Sequence, residues 1–210
     1  MKFSPSTSGN MPSGNMPSPL PLILASTSIY RQELLSRLQH PYTAIAPLAD
    51  EAAHPGEDSA ALAERLAETK ARSLADRYPS ALIIGSDQVA YCGAQRFGKP
   101  GSRERACQQL QSMRGKEVIF HTGLCLLNTA SGRSQLAGVP TRVRMRALSD
   151  EEIHRYLDRE DALNCAGSAK SEGLGIALMD ALQGDDPTAL VGLPLIALCR
   201  MLRAEGIALP

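Results

Sequence analysis

Apolar residues recur along the first half of this chain with two different spacings. Short uninterrupted apolar runs at 22–25 and 81–85 are typical of buried strands. Leucines three and four residues apart predict helices over 29–39 and 59–77, and Ser59 is placed to cap the second of them. The first half therefore predicts helices that alternate with strands.

The second half of the chain adds a pair of strands of the hairpin type. Segments 117–128 and 134–147 are separated by the turn residues Ser131-Gly132, which predicts an antiparallel pair. Helices are predicted over three further segments, namely 102–113, 150–160 and 188–204. The whole pattern predicts an α/β fold with a mixed sheet of parallel and antiparallel strands.

Two segments lack this periodicity. Residues 1–18 contain Ser-Gly-Asn-Met-Pro twice in succession, and such a composition cannot bury enough apolar surface to offset its ordering entropy. We therefore expect a disordered tail over 1–18 and a single folded domain over 19–210. Segment 162–176 is rich in glycine and irregular, with a short strand expected near Gly175.

Composition and charge exclude several classes of function. The chain has 22 basic and 22 acidic residues, and this balance argues against binding of a nucleic acid polymer. Aromatic residues make up 4% of the chain, too few for a platform that stacks bases. No apolar run approaches the length of about 20 residues needed to span a membrane. Five scattered cysteines predict reduced thiols and a cytoplasmic location.

A possible anion site follows the first predicted strand. Ser26, Thr27 and Ser28 form a polar turn that leads directly into a helix, whose first amide groups lack internal partners. The hydroxyls of Ser26 and Ser28 add hydrogen-bond donors, and Arg31 lies one turn into the helix. The same residues are also suited to ordinary helix capping, so both interpretations stay open here.

Carboxylates and lysines follow at several points of the chain. Asp87 and Gln88 come after the apolar run 81–85, where an α/β sheet often carries its chemistry, although Gly-Ser-Asp is also a common turn sequence. Glu51 offers a second carboxylate, and together with Asp87 it would suit Mg²⁺ or Mn²⁺. Lys70 and Lys99 could bind phosphate groups, and Lys99 is fixed between a glycine and a proline.

These pieces together resemble the Maf family of nucleoside triphosphate pyrophosphatases, in particular its branch that acts on 7-methyl-GTP. The match covers about residues 20–205. The matching motifs, in order, are Ala25-Ser26-Thr27-Ser28 with Arg31, Asp50-Glu51, Lys70-Ala71, Gly85-Ser86-Asp87-Gln88, Gly98-Lys99-Pro100, Cys165-Ala166-Gly167-Ser168, Lys170-Ser171-Glu172-Gly173 and Gly192-Leu193-Pro194. The family often has a second basic residue where Gln32 stands, so one phosphate contact is missing here.

The resemblance implies a two-lobed fold with a central cleft, as in inosine triphosphatase-like proteins, and usually a homodimer. It implies metal-assisted cleavage between the α and β phosphates of a small nucleotide, with Asp87 as the proton acceptor. Tyr30, Gln88 and Glu172 would occupy the positions that select the base, and this triplet differs from that of the uridine and thymidine branch. Two alternatives stay open: a pyrophosphatase of this fold with dTTP, UTP or another nucleotide as substrate, or a nucleotide-binding regulator without turnover.

Overall fold

The computed structural model describes residues 20–210, so the disordered tail predicted for 1–18 lies outside the described residues. The described chain forms one seven-stranded mixed sheet and five α-helices. In chain order the elements are β1 Leu22–Ala25, α1 Ile29–Ser36, β2 Thr43–Ile45, α2 Ser59–Arg72, β3 Leu82–Cys92, β4 Gln95–Phe97, α3 Arg103–Met113, β5 Glu117–Asn128, β6 Ser134–Met145, α4 Asp150–Leu157, β7 Met179–Gln183 and α5 Leu195–Ala204. Short 3-10 turns span Ala166–Ser168, Leu174–Leu178 and Ala189–Val191.

The sheet confirms the predicted mixed α/β fold. Its strand order is β2-β1-β3-β5-β6-β7, and β4 pairs with the far end of β3. Strand β1 runs parallel to both β2 and β3, whereas β5, β6 and β7 continue in antiparallel pairs. Among residues 20–210 no helix is long and apolar enough to cross a bilayer.

Helices cover both faces of the first part of the sheet. Ile83 packs with the alanines of α2 on one face, and Ile84 packs with Leu198 of α5 on the other. This alternation follows from the strand geometry, in which neighbouring side chains point to opposite faces. A second core lies at the other end of the long strands, where Phe120 packs with residues of α3 and α4. The two ends of the sheet therefore carry separate packed lobes.

The sequence predicted that the strand beginning at residue 81 ends at residue 85, and this end was wrong. Strand β3 continues through Asp87 to Cys92, because its neighbour β5 supplies backbone partners along its length as far as Tyr91, which lies opposite Ile119. The neighbour on the other side, β1, ends at Ala25. Asp87 thus lies inside a strand, but beyond the carboxyl end of the parallel strand next to it.

Several other predicted boundaries also need correction. The helices predicted to end at 39, 77 and 160 end at Ser36, Arg72 and Leu157. Asp58, rather than Ser59, caps α2, since its carboxylate accepts from the amides of the second and third helical residues. The strand expected near Gly175 lies at Met179–Gln183 instead. The last helix begins at Leu195 rather than 188, because Gly192 has a φ of 113° and Pro194 has no amide hydrogen to continue a helix.

Candidate active site

A cleft of about 820 Å³ opens between the end of β1 and the second lobe. Its wall includes the turn before α1, the end of the β3–β4 hairpin, and residues from the irregular segment that follows α4. All nine residues that the sequence proposed for the site line this one cleft: Ser26, Tyr30, Arg31, Glu51, Lys70, Asp87, Gln88, Lys99 and Glu172. The structure thus brings together residues that are up to 146 positions apart in the sequence.

Two glycines let helix α2 approach the sheet closely enough to form the floor of this cleft. A side chain on Gly85 would place its Cβ 2.0 Å from the carbonyl oxygen of Ala67. A side chain on Gly123, in the neighbouring strand, would meet the carbonyl oxygen of Ala63 at 2.3 Å. Because neither glycine has a Cβ, the helix backbone rests directly on the strands.

This close approach brings Lys70 of α2 against the carboxylate of Asp87. The ammonium nitrogen lies 2.5 Å from Oδ1 of Asp87 and 2.7 Å from Oε1 of Glu51. Lys70 and Asp87 are buried, whereas the side chain of Glu51 is 61% exposed on the open side of the cleft. A buried lysine between two carboxylates keeps its charge balanced in a setting that would otherwise penalise it.

The charge around Glu51 is dominated by cations. Burial opposes ionisation of this carboxylate, but the hydrogen bond and charge of Lys70, with Lys99 and Arg31, lower the pKa of Glu51 below its usual value. A depressed pKa in the folded state means that this contact stabilises the fold above the unfolded pKa and is lost as the pH falls through the folded pKa. Three cations therefore surround this carboxylate.

The turn before α1 caps its helix, which is one of the two interpretations that its sequence left open, and the anion site stays a prediction. Ser28 caps the helix by accepting from the amide of Arg31 at 3.4 Å, and the Ser26 hydroxyl accepts from the amide of Ser28 at 3.1 Å. Arg31 is held by its Nε, which donates to the carbonyl of Gly192 at 2.8 Å. The guanidinium is thereby fixed beside the amino end of the helix, where anions are favoured.

Residues 186–194, before α5, form a strap that contributes to the wall of the cleft. Its carbonyl oxygens accept from polar side chains of the sheet: Gly192 accepts from Ser86, and Ala189 accepts from Thr122. The buried Asp186 fixes the strap, since its carboxylate accepts from the amide of Ile196 at 2.7 Å at the start of α5. The Gly192-Leu193-Pro194 motif thus contributes a backbone carbonyl to hold Arg31.

Gln88 contacts the same strap. Its side-chain amide donates to the hydroxyl of Thr122 at 2.9 Å and to the carbonyls of Ala189 and Leu190 at 3.0 Å. These three acceptors occupy the NH₂ group, so the carbonyl oxygen is the part of the Gln88 amide left for a ligand. The base-selecting role suggested for Gln88 stays a prediction.

Another part of the cleft wall is formed by Tyr30 and the segment after α4. The ammonium of Lys170 lies 5.8 Å from the centre of the Tyr30 ring and is held at 2.8 Å by Glu160. Burial, with the neighbouring Cys165, raises the pKa of Tyr30, which favours the neutral phenol. Glu172 is exposed on the same segment, so this part of the cleft wall presents an aromatic ring and a carboxylate.

Lys99 and Arg96 come from the β3–β4 hairpin and the turn after it. Lys99 is exposed, whereas Arg96 is half-buried and donates from Nε to the hydroxyl of Ser59 at 2.9 Å. The cleft is also lined by three residues outside the predicted set, namely Arg96, Asp161 and Asn164. Arg96 could have been selected from the sequence, because it is a second basic residue three positions before Lys99.

The residues present fit a hard divalent cation. Glu51 and Asp87 both direct a carboxylate oxygen at the single ammonium of Lys70, so two oxygen donors face one cationic position. Magnesium and manganese are commonly held by one or two carboxylates together with substrate phosphates. No cluster of three or more His, Cys, Asp or Glu side chains suited to a metal occurs within residues 20–210, so a carboxylate pair is the set available here.

Comparison with known proteins places the whole described domain in one family. Residues 21–205 match the family described as Maf-like protein. A 7-methyl-GTP pyrophosphatase from Aromatoleum aromaticum is 58% identical over 189 residues, which cover 90% of this chain and 97% of the relative. Proteins of the same name from Burkholderia thailandensis and Nitrosococcus oceani are 57% and 53% identical, over 90% and 91% of this chain and 89% and 98% of the relatives.

These matches extend from the first strand through the last helix and include every residue described in the cleft. The family resemblance read from the short motifs is therefore confirmed along the whole folded domain. The chain belongs to the Maf family.

Proposed function

We propose that this protein hydrolyses 7-methyl-GTP to 7-methyl-GMP and pyrophosphate, and so removes a modified nucleotide. The observation that carries the proposal is the group formed by Lys70, Glu51 and Asp87 in the cleft, next to the amino end of α1. Relatives that are more than half identical over nine tenths of the chain bear the name 7-methyl-GTP pyrophosphatase. We take the proposed substrate from that name.

The triphosphate would lie at the end of the cleft that carries Arg31, Lys70 and Lys99. Each of these cations lowers the pKa of Glu51, so all three act on the same region of the site. Positive groups fixed before the substrate arrives stabilise the charge that builds up on a leaving pyrophosphate without reorganisation. The free amides at the start of α1 add donors for one phosphate.

Asp87 would accept a proton from the attacking water. Its Oδ1 is engaged by Lys70, and no hydrogen bond to its other oxygen occurs within residues 20–210, so that oxygen is left to face the water. Because the side chain is only 13% exposed and lies on a long paired strand, its position is fixed by the sheet. Fixed placement of a base is a large part of its catalytic effect.

Glu51 and Asp87 would hold a divalent cation, Mg²⁺ or Mn²⁺. When bound, such a cation supplies charge that offsets the phosphate oxygens and makes a nearby water more acidic. Lys70 shares both carboxylates and balances them when the nucleotide is absent.

The methylated base would lie between Tyr30 and Glu172. The base carries a positive charge, and the Tyr30 ring already has an ammonium group on one side at 5.8 Å, which indicates a ring suited to cations. Glu172 offers an acceptor for the N–H donors on the edge of the guanine. The names of the relatives favour 7-methyl-GTP over the two alternatives, a dTTP or UTP pyrophosphatase and a regulator without turnover.

We also propose that the enzyme works as a homodimer in the cytoplasm. The family resemblance supports the dimer, and five cysteines without disulfides within the described residues support a reducing compartment. Light scattering at micromolar concentration tests the dimer: a mass near 45 kDa, twice that of the 22.4 kDa chain, is expected, and a mass of one chain contradicts it.

A panel of triphosphates tests the function directly. The purified protein is incubated with 7-methyl-GTP, GTP, UTP or dTTP in the presence of Mg²⁺ or Mn²⁺, and pyrophosphate release is measured. The highest kcat/KM is expected for 7-methyl-GTP. A preference for UTP or dTTP would show that the proposed substrate is wrong, and tight binding without product would favour the regulator.

A further inference from the structure

Gln109 of helix α3 contacts two separate loops of the cleft with the two polar atoms of its terminal amide. Its Nε2 donates to the carbonyl of Gly98 at 3.1 Å, and its Oε1 accepts from the hydroxyl of Ser168 at 2.7 Å. Gln109 is not among the described residues that line the cleft. It therefore acts on the site through the loops that it holds.

The first of these loops carries Lys99. The carbonyl of Gly98, directly before Lys99, accepts from Gln109 and also from the backbone amide of Gly167 at 3.3 Å. The side chain of Lys99 is exposed, so its position depends on the backbone turn from which it projects.

The second loop carries Glu172, one of the two residues proposed to meet the base. Ser168 is fully buried and has a φ of 56°, a left-handed conformation that is unfavourable for a residue with a side chain. Its carbonyl accepts from the hydroxyl of Tyr156, which in turn accepts from the amide of Lys170. The hydrogen bond to Gln109 fixes the only polar atom of the Ser168 side chain.

We infer that Gln109 is a positioning residue that joins the phosphate-binding turn at Lys99 to the base-binding segment 165–172. This inference rests on the proposed function for what the two loops bind. A hydrogen bond on each side of one rigid amide, together with the direct bond from the Gly167 amide to the Gly98 carbonyl, fixes the two loops relative to each other. The cleft is thereby matched to a nucleotide that spans it. Without Gln109 the Ser168 hydroxyl is left buried without a partner, and the strained turn loses a restraint.

Two single substitutions separate the ends of the link. Gln109→Glu keeps an oxygen that accepts from Ser168 but cannot donate to the carbonyl of Gly98, so pyrophosphate binding is expected to weaken by about tenfold. Ser168→Ala keeps the contact to Gly98, so binding of the nucleoside monophosphate is expected to weaken by a similar factor and binding of pyrophosphate to change little. Both affinities are measured by calorimetry on the full chain.

Gln109→Ala and the double variant with Ser168→Ala complete the test. The single variant is expected to lower kcat/KM by about tenfold on the best triphosphate of the panel, and the double variant to lose no more than the worse single variant. Gln108→Ala is the matched control, because Gln108 is the exposed neighbour on the same helix. Thermal unfolding of each variant shows whether it is folded.

Two results would overturn the inference. One is a Gln109→Ala variant with unchanged kinetics and binding, and the other is a Gln109→Glu variant that weakens both ligands equally. If the wild type prefers another triphosphate, the proposed substrate is wrong, but Gln109 is still tested with that triphosphate. If it cleaves none, the pyrophosphate titration of the Gln109 variants still decides the inference.

Discussion

Gly85→Ala tests whether the close approach of helix α2 to the sheet builds the group of Lys70, Glu51 and Asp87 that is proposed to be catalytic. The added Cβ would lie 2.0 Å from the carbonyl oxygen of Ala67 and 2.8 Å from the amide nitrogen of Ala71, both backbone atoms of α2. Comfortable contacts of this kind need about 3.5 Å. The helix must therefore move away from the strand by about 1 Å or more, and it takes Lys70 with it.

The expected magnitudes follow from this displacement. Overpacking of a well-packed core costs about 1–3 kcal/mol of unfolding free energy, and contacts with backbone place this variant at the upper end. A shift of about 1 Å in a catalytic group lowers kcat by roughly 100-fold. Lys70 is held at 2.5 Å from Asp87, so its contact does not survive such a shift.

The assay compares Gly85→Ala with a control of similar instability. Ile84→Ala removes a buried side chain on the opposite face of the same strand, which costs about 2–5 kcal/mol and leaves α2 in contact with the sheet. Pyrophosphate release and urea unfolding are measured for both below their unfolding transitions. Equal losses of activity in the two variants, or wild-type activity in Gly85→Ala, would refute the reasoning.

Three further predictions concern the side chains of the cleft. Asp87→Asn is expected to lower pyrophosphate release by at least about 100-fold with a normal far-UV spectrum, and a near-normal rate would contradict its role as proton acceptor. Glu172→Gln is expected to lower kcat/KM for 7-methyl-GTP by about tenfold and for GTP much less, since only the first base is cationic; an equal loss for both contradicts the placement of the base. Lys70→Gln removes a main cause of the lowered pKa of Glu51, so that pKa is expected to rise toward its unfolded value in a carboxyl NMR titration, and the stability that this carboxylate contributes above its unfolded pKa becomes smaller. An unchanged pKa would show that Lys70 does not hold Glu51 in solution.

The sequence predicted the elements of the fold well where the signal was local. The helix over 102–113 and the hairpin strands from 117 and 134 lie close to their predicted places, because each depends on periodicity and on turn residues within the segment. One boundary failed because a distant partner decided it. Strand β3 continues past residue 85 because β5 pairs with it, and the residues between 85 and 92 do not themselves indicate that pairing.

The short strand β2 illustrates the same limit. Thr43–Ile45 is three residues long and forms a strand only by pairing in parallel with β1. This strand is not predictable from its own residues, since three residues do not establish a period. Strand β7 likewise forms where β6 offers an edge, rather than at the glycines that first suggested a strand.

For the site, the sequence by itself determined which chemical groups are present. A polar turn at the start of a helix, two separated carboxylates and several basic residues indicated phosphate chemistry, and their order along the chain indicated the family. These are properties of residue type and local spacing, so they can be read without coordinates.

Only the tertiary structure decided how those groups meet. Lys70 reaches Asp87 because Gly85 and Gly123 let α2 rest on the sheet. Arg31 is fixed because it donates to the carbonyl of Gly192, which lies 161 positions further along the chain in the strap before α5. Gln109 gave no signal in the sequence, since a polar residue on a helix is usually solvated. Its two hydrogen bonds exist only because the fold brings the loops at Gly98 and Ser168 to opposite sides of its terminal amide.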